Sequence, residues 1–235
     1  MSAPPRSDAA LPTGEAKRAS VDAMFDSIAP RYDRMNRIIS CGQDVRWRRR
    51  TVATLGLPAG SRVLDLGCGT GDLCRDLTTA GYRAVGLDRS AGMLAAATTD
   101  VPLARADAEA LPVADRSVDG VVSGFALRNF VDLSTVLDAC VRALRPGGRV
   151  ALLDAAVPDQ ALLRLGNALW FRGAVPLLGR LVAGQPDAYA YLPRSMAYLP
   201  GPDALLDVLR GAGLTDVTRQ TMTGGSVQIL SGTRP

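Results

Sequence analysis

The sequence predicts an α/β fold in which a parallel sheet carries helices on both faces. Three observations predict it. Short β-rich runs alternate with helical stretches between residues 62 and 153. The first such run, Val63-Leu64-Asp65-Leu66, feeds directly into Gly67-Cys68-Gly69-Thr70-Gly71-Asp72 and a helical pattern. A carboxylate, Asp88, closes the second run about 20 residues beyond that turn.

The elements follow in order. Residues 1–19 hold Pro, Ser, Ala and charge without periodicity, so a disordered leader is expected. Helical patterns cover 20–28 and 44–55. Strands are expected at 62–66, 83–87, 101–106, 118–123 and 149–153, with helices at about 71–80, 90–98 and 133–144 between them. Pro146-Gly147-Gly148 should end the last of these helices before its strand begins. A long helical insertion then runs to about Ala197, followed by a helix at 203–211 and strands at 216–221 and 226–230. There is no internal repeat. Residues 20–235 therefore read as one domain, with an N-terminal helical lid and an insertion at about 157–200.

Composition narrows the chemistry. The chain of 235 residues has no histidine, which excludes a Ser-His-Asp triad, a histidine base and histidine metal sites. Four cysteines show no paired or zinc-like spacing, so no metal site and four reduced thiols in the cytoplasm are expected. No secretory signal pattern stands at the N-terminus. The net charge of +4 is mild, compatible with anionic ligands or an anionic membrane surface. Arg46, Arg48, Arg49 and Arg50 would spread around a helix rather than form a stripe, so no nucleic-acid partner is expected. The most apolar stretch, 161–182, is broken by Arg164, Arg172, Pro176 and Arg180, which argues against a membrane span. It suits either lid packing or the lining of an apolar tunnel.

The glycine turn carries the strongest functional signal. Glycines let the backbone bend sharply and approach a ligand, and the helix that follows presents free N–H groups. Asp65, Gly67, Gly69 and Thr70 are thus candidate cofactor contacts, and Asp88 stands where an acid can accept from ribose hydroxyls. Asp107 and Ala108 follow the third strand, where the acid could meet an adenine amino group. Ser123 ends the next strand and is expected to face the same crevice.

Longer runs resemble the ubiquinone/menaquinone C-methyltransferase family. They are Met24-Phe25-Asp26-Ser27-Ile28-Ala29-Pro30-Arg31-Tyr32-Asp33, Trp47-Arg48-Arg49, Asp107-Ala108-Glu109-Ala110-Leu111-Pro112 and Phe125-Ala126-Leu127-Arg128-Asn129. Arg145-Pro146-Gly147-Gly148-Arg149, Tyr189-Ala190-Tyr191-Leu192 with Ser195, and Thr223-Gly224-Gly225 complete the set, which spans about residues 21–232. The resemblance implies a Rossmann-like methyltransferase sheet of about seven strands, the last antiparallel. It implies S-adenosylmethionine as cofactor, contacted by Thr70, Asp88, Asp107, Ala108 and Ser123. It also implies a prenylated quinol as acceptor, methylated on a ring carbon with Tyr32, Arg128 and Asn129 close by. In that reading Arg128 stabilises the phenolate, Asn129 orients the hydroxyl and Tyr32 closes the pocket; an Arg128 that merely pairs with an acid is the alternative. Peripheral membrane contact and a homodimer are compatible with it. Two departures bear on the acceptor: Asp154-Ala155-Ala156 stands where the family usually has Glu-Phe-Ser, and Leu230 where it often has His. They keep open another phenolic or polyketide-like acceptor.

Overall fold

In the computed structural model, which describes residues 12–170, Gly173 and 194–235, the first helix, α1 (Gly14–Ile28), begins well before residue 20. This corrects the expected leader: its last residues are helical. The reason is polar. The Lys17 ammonium is buried, donates to Phe130 O at 2.5 Å and lies 3.9 Å over the Tyr198 ring, while Arg18 pairs with Glu109. Hydrophobic periodicity could not announce a helix anchored in this way. The rest of the leader, much of the insertion and Tyr189-Ala190-Tyr191-Leu192 lie outside the described residues.

A tight turn at Ala29–Arg31 leads into α2 (Tyr32–Ile39), a helix the sequence patterns did not separate. The next helix, α3 (Asp44–Leu55), stops at Gly56, whose φ of +56° ends the helix in the left-handed conformation. Seven strands follow: β1 (Arg62–Leu66), β2 (Arg83–Asp88), β3 (Leu103–Arg105), β4 (Val118–Gly124), β5 (Leu144–Ala155), β6 (Thr215–Met222) and β7 (Val227–Thr233). They form one sheet in the order β3-β2-β1-β4-β5-β7-β6. β7 runs antiparallel to β5 and to β6, and the pairs among β1–β5 are parallel.

Alternation along the strands divides the core. Leu64, Leu66, Val121, Leu152 and Leu230 pack with α6 (Leu133–Ala143) and α8 (Pro202–Gly211). Val63, Val122 and Ala151 face the other way, onto α3 and α4 (Asp72–Thr79). Two shorter helices, α5 (Ala91–Ala95) and α7 (Ala161–Leu169), complete the described set. α5 is shorter than the expected 90–98 helix; Ser90 caps it by accepting from Met93 N.

Pro146-Gly147-Gly148 does not lie between helix and strand as expected. The strand starts at Leu144, and the segment bulges out of its ladder: Val118 is opposite Leu144, but Gly120 is opposite Arg149. Gly147 N and Gly148 O bond Arg234 instead. The chain reverses direction across the sheet at β1, whose neighbours are β2 and β4, and a crevice opens at their carboxyl ends.

Leu152 is buried in the α6/α8 layer. Leu152→Ala should lower the unfolding free energy by about 2–5 kcal/mol, read from the urea midpoint by circular dichroism. A shift of only a few tenths would mean that this layer does not hold the sheet.

Candidate functional site

The turn after β1 is built for close approach. Gly67 has a φ of +66°, and a Cβ there would stand 2.7 Å from Ala126 Cβ. Asp88 fixes this turn from the neighbouring strand: Gly69 N donates to its Oδ2 and Ser90 N to its Oδ1, each at 2.8 Å. Burial nonetheless pushes its carboxyl above the usual range, against those backbone donors.

Beneath the turn, alternation points Asp65 with Val63 toward α3 and α4. It is fully buried. Its Oδ2 accepts from Cys74 Sγ at 3.3 Å, while Oδ1 is a buried polar atom with no partner among the described residues. Burial lifts this carboxyl to about 7, with the Cys74 hydrogen bond acting the other way.

Helices α1 and α2 roof the crevice through polar links. Thr70 Oγ1 donates to Asp33 Oδ1 at 2.5 Å. Asp26 accepts from Ser90 Oγ at 2.5 Å and Gly92 N at 2.8 Å, which hold its carboxyl below the ordinary value. Arg89 bridges Asp22 and Asp107 at 2.8 and 2.6 Å. The Asp107 carboxylate also accepts from Glu109 N at 3.0 Å, so two of its acceptor sites are already engaged.

Under this roof lies a cavity of about 790 Å³, in the upper part of the range for small-molecule sites. Asp65, Gly67, Gly69, Thr70, Asp88, Asp107 and Ala108 line it, as do Tyr32, Arg128 and Asn129. The fold thus brings ten of the expected site residues to one cavity. Ser123 is the exception. It is buried in the sheet, its hydroxyl donates to Leu66 O at 2.7 Å, and Gly124 takes the place on the cavity wall. The expected strand-end contact is therefore one residue off, because β4 extends to Gly124.

The other end of the cavity carries a buried ion pair. Arg128 is 6% exposed and Asp154 fully buried. The guanidinium pairs with Asp154 through Nη1 and donates to Ser195 Oγ through Nε at 3.1 Å. Asp154 also accepts from Arg128 N at 3.3 Å and Ala155 N at 2.7 Å. No described residue takes the Nη2 donors. Asn129 Nδ2 donates to Phe125 O at 3.3 Å. Tyr32 packs edge-on to Phe25, and loss of hydration raises its phenol above the ordinary value, opposed by Asn36 and the Arg128 charge.

Sequence reasoning missed several residues here. Phe125 has a φ of +59°, uncommon for a bulky side chain, and stacks edge-on to Trp47 at 6.1 Å. Backbone strain leaves no mark in a sequence. Asp154 and Ser195 were visible as a departure and a motif residue, but their contact with Arg128 joins positions far apart in the chain. Of the basic residues on α3, Arg48 turns inward to Asp44, Asp72 and Asp76, while Arg46, Arg49 and Arg50 are exposed, as their spacing predicts.

Comparison with known proteins agrees with this geometry. The ubiE/COQ5 methyltransferase family matches residues 13–234. A demethylmenaquinone methyltransferase of Roseiflexus sp. (strain RS-1) is 40% identical over 94% of this chain and 96% of its own. One from Mycolicibacterium paratuberculosis is 40% identical over 92% of this chain and 94% of its own. Among solved structures, an S-adenosylmethionine-dependent methyltransferase from Thermotoga maritima shares the fold, with a TM-score of 0.66 and 18% identity over 91% of this chain and 99% of that one.

Asp65 makes a pH prediction. With its folded value near 7 and a reference of 3.8, the folded state keeps a proton that the unfolded state has lost. The Asp65 contribution to stability, about 4 kcal/mol at most, should be fully present below about pH 4, be lost as pH rises to about 7, and then level off. Subtracting the profile of Asp65→Asn isolates this slope, measured by urea unfolding without ligand. Parallel profiles for the two proteins would remove Asp65 from the account.

Proposed function

The chain belongs to the ubiE/COQ5 methyltransferase family, and from that premise we propose that it methylates a ring carbon of a prenylated quinol of the demethylmenaquinol type. The methyltransferase is S-adenosylmethionine-dependent, and the cofactor, when bound, supplies an electrophilic methyl group. The residues present fit that group. Gly67 and Gly69 leave the room that side chains would fill, and the orphaned Asp65 Oδ1 offers a buried acceptor to a cationic amine. Asp65, Gly67, Gly69, Thr70, Asp88, Asp107 and Ala108 would hold the cofactor, Asp88 being suited to ribose hydroxyls.

One observation carries the acceptor reading. A guanidinium with a nitrogen that no described residue bonds stands on the wall of the cavity that also contains the glycine turn, and most of the remaining wall is apolar. A ring carbon becomes nucleophilic as its neighbouring hydroxyl loses a proton, and the resulting phenolate needs a fixed positive partner. Arg128 supplies it. Asp154 and Ser195 hold the guanidinium in one orientation, so little reorganisation accompanies the appearance of charge. Tyr32, with its phenol raised, stays protonated at neutral pH and serves as a donor rather than a base. The proton leaves to water or a carboxylate, since the chain has no histidine. Alignment of acceptor and donor in the cavity would supply about 7–11 kcal/mol.

The tail of such an acceptor keeps it in a bilayer, so the reaction calls for contact with a membrane surface. A second reading, another phenolic or polyketide-like acceptor, draws on Ala155 and Ala156, whose small side chains lie on the cavity wall.

Incubation with S-adenosylmethionine and reduced demethylmenaquinone should add one methyl group, read by mass spectrometry. A phenolic acceptor converted in its place would favour the second reading. Removing Arg128 outright would strand a buried carboxylate at a cost of about 3–5 kcal/mol. The informative variant is Arg128→Lys, which keeps the charge but loses the planar fork. We expect turnover to fall at least tenfold with the cofactor Kd unchanged; wild-type turnover in this variant would refute the assignment.

A further inference from the structure

Exposed large apolar side chains concentrate in one place on this molecule. Among the described residues they are Val157, Leu162, Leu163, Leu165 and Leu169, with Val85 the only one elsewhere. Leu162, Leu165 and Leu169 are spaced i, i+3, i+7 on α7 and share a face. They are 80%, 59% and 67% exposed. Leu162, at one end of this stripe, also lines the cavity with Leu163, Gly166 and Trp170, whereas Leu165 and Leu169 lie outside its lining. This segment is therefore apolar where it closes the cavity and apolar again where it meets solvent. A contiguous bare stripe of that kind marks an interaction surface.

Charge next to the stripe indicates what covers it. Trp170 Nε1 donates to Ile39 O at 3.2 Å, joining the end of α7 to the end of α2. Arg31, Arg34 and Arg37, all exposed, run at three-residue intervals along α2 and the turn before it, Arg37 also pairing with Asp44 at 3.4 Å. Arg164 is exposed on α7 itself, and Asp159 is the single acid between residues 157 and 170. Leucines bordered by guanidinium groups suit the boundary between acyl chains and anionic head groups. No helix of the described residues is long and apolar enough to cross a membrane, so this contact lies in the plane of the surface.

We infer that the outer leucine stripe of α7 and the arginine row of α2 form a docking surface for an anionic lipid bilayer, which sets the mouth of the cavity on the membrane. The inference rests on the reading of the acceptor as a prenylated quinol, a molecule that resides in the bilayer. Leu162 and Leu163, at the cavity wall, would let its head group enter without crossing water.

Leu165 and Leu169 do not line the cavity, so Leu165→Gln/Leu169→Gln tests the surface and leaves the site intact. Flotation with vesicles of phosphatidylcholine and phosphatidylglycerol should show binding of the wild-type chain. The double variant should bind at least tenfold more weakly, and Arg34→Glu should weaken binding in a salt-dependent way. Both variants should keep the thermal midpoint and full methyl transfer to a short-tailed quinol in solution, and lose transfer to a long-tailed quinol held in vesicles. Equal flotation of variant and wild type would overturn the proposal. So would a wild-type dimer that ignores vesicles and is split by the double variant, because a second copy would then cover the stripe. Vesicle binding without methyl transfer to any quinol would support the docking surface while removing the acceptor reading. Transfer without vesicle binding would do the reverse.

Discussion

The glycine-turn end of the cavity depends on one carboxylate spanning two strand ends. Asp88 accepts from Gly69 N and Ser90 N, and so ties the turn after β1 to the turn after β2. Without that tie the glycines, free to adopt positive φ, would also be free to leave it. The clamp turns permissive backbone into a fixed surface. It also explains the raised Asp88 carboxyl: the group is placed where the turn needs it, at the expense of its own hydration. A ribose that hydrogen-bonded to it would restore part of what burial removed.

The same trade recurs at both ends of the cavity, with opposite solutions. Asp65 is buried with one oxygen unpartnered and holds its proton up to about 7. Asp154 is buried as deeply but accepts from two backbone amides and a guanidinium. The first is a carboxyl that a cationic ligand could bring into its charged form. The second already has its countercharge, and its task is orientation. A buried pair of this kind adds little net stability, because desolvation offsets most of the attraction. What it adds is a guanidinium held in one orientation, which suits the phenolate-stabilising role proposed above.

How much of this was legible in the sequence follows from the range of each interaction. Strands β1, β4 and β5 were readable because their buried parallel stretches make nearly continuous apolar runs. The glycine turn and Asp88 were readable because their spacing is local to one strand-helix-strand unit. The start of α1 was not, because Lys17 and Arg18 are held by Phe130 O and Glu109, more than ninety residues away. Nor was the inward turn of the Ser123 hydroxyl, which depends on how far β4 continues before the chain leaves the sheet. The Arg128–Asp154 contact needed the pairing of β4 with β5, and no motif contains a register.

The roof adds a constraint of a different kind. Its polar links to the body, Asp33 to Thr70, Asp26 to Ser90 and Arg89 between Asp22 and Asp107, reach the turns at the glycine end of the cavity, while Val21, Ile28, Ala29 and Met35 of the same roof are buried. Contacts of this type are individually weak where water can compete, and the buried apolar side chains beside them supply the rest of the roof's hold. The Arg128 end has a packed apolar wall, with Trp47 and Phe125 set against Leu153, Val227 and Ile229. If a nucleoside and a prenylated ring share this cavity, as proposed above, polar links at one end and a packed wall at the other suit separate routes for the two. A nucleoside can displace hydrogen bonds that it is able to replace. A prenylated ring can do so only poorly, and an apolar mouth beneath α7 is the entrance its chemistry favours.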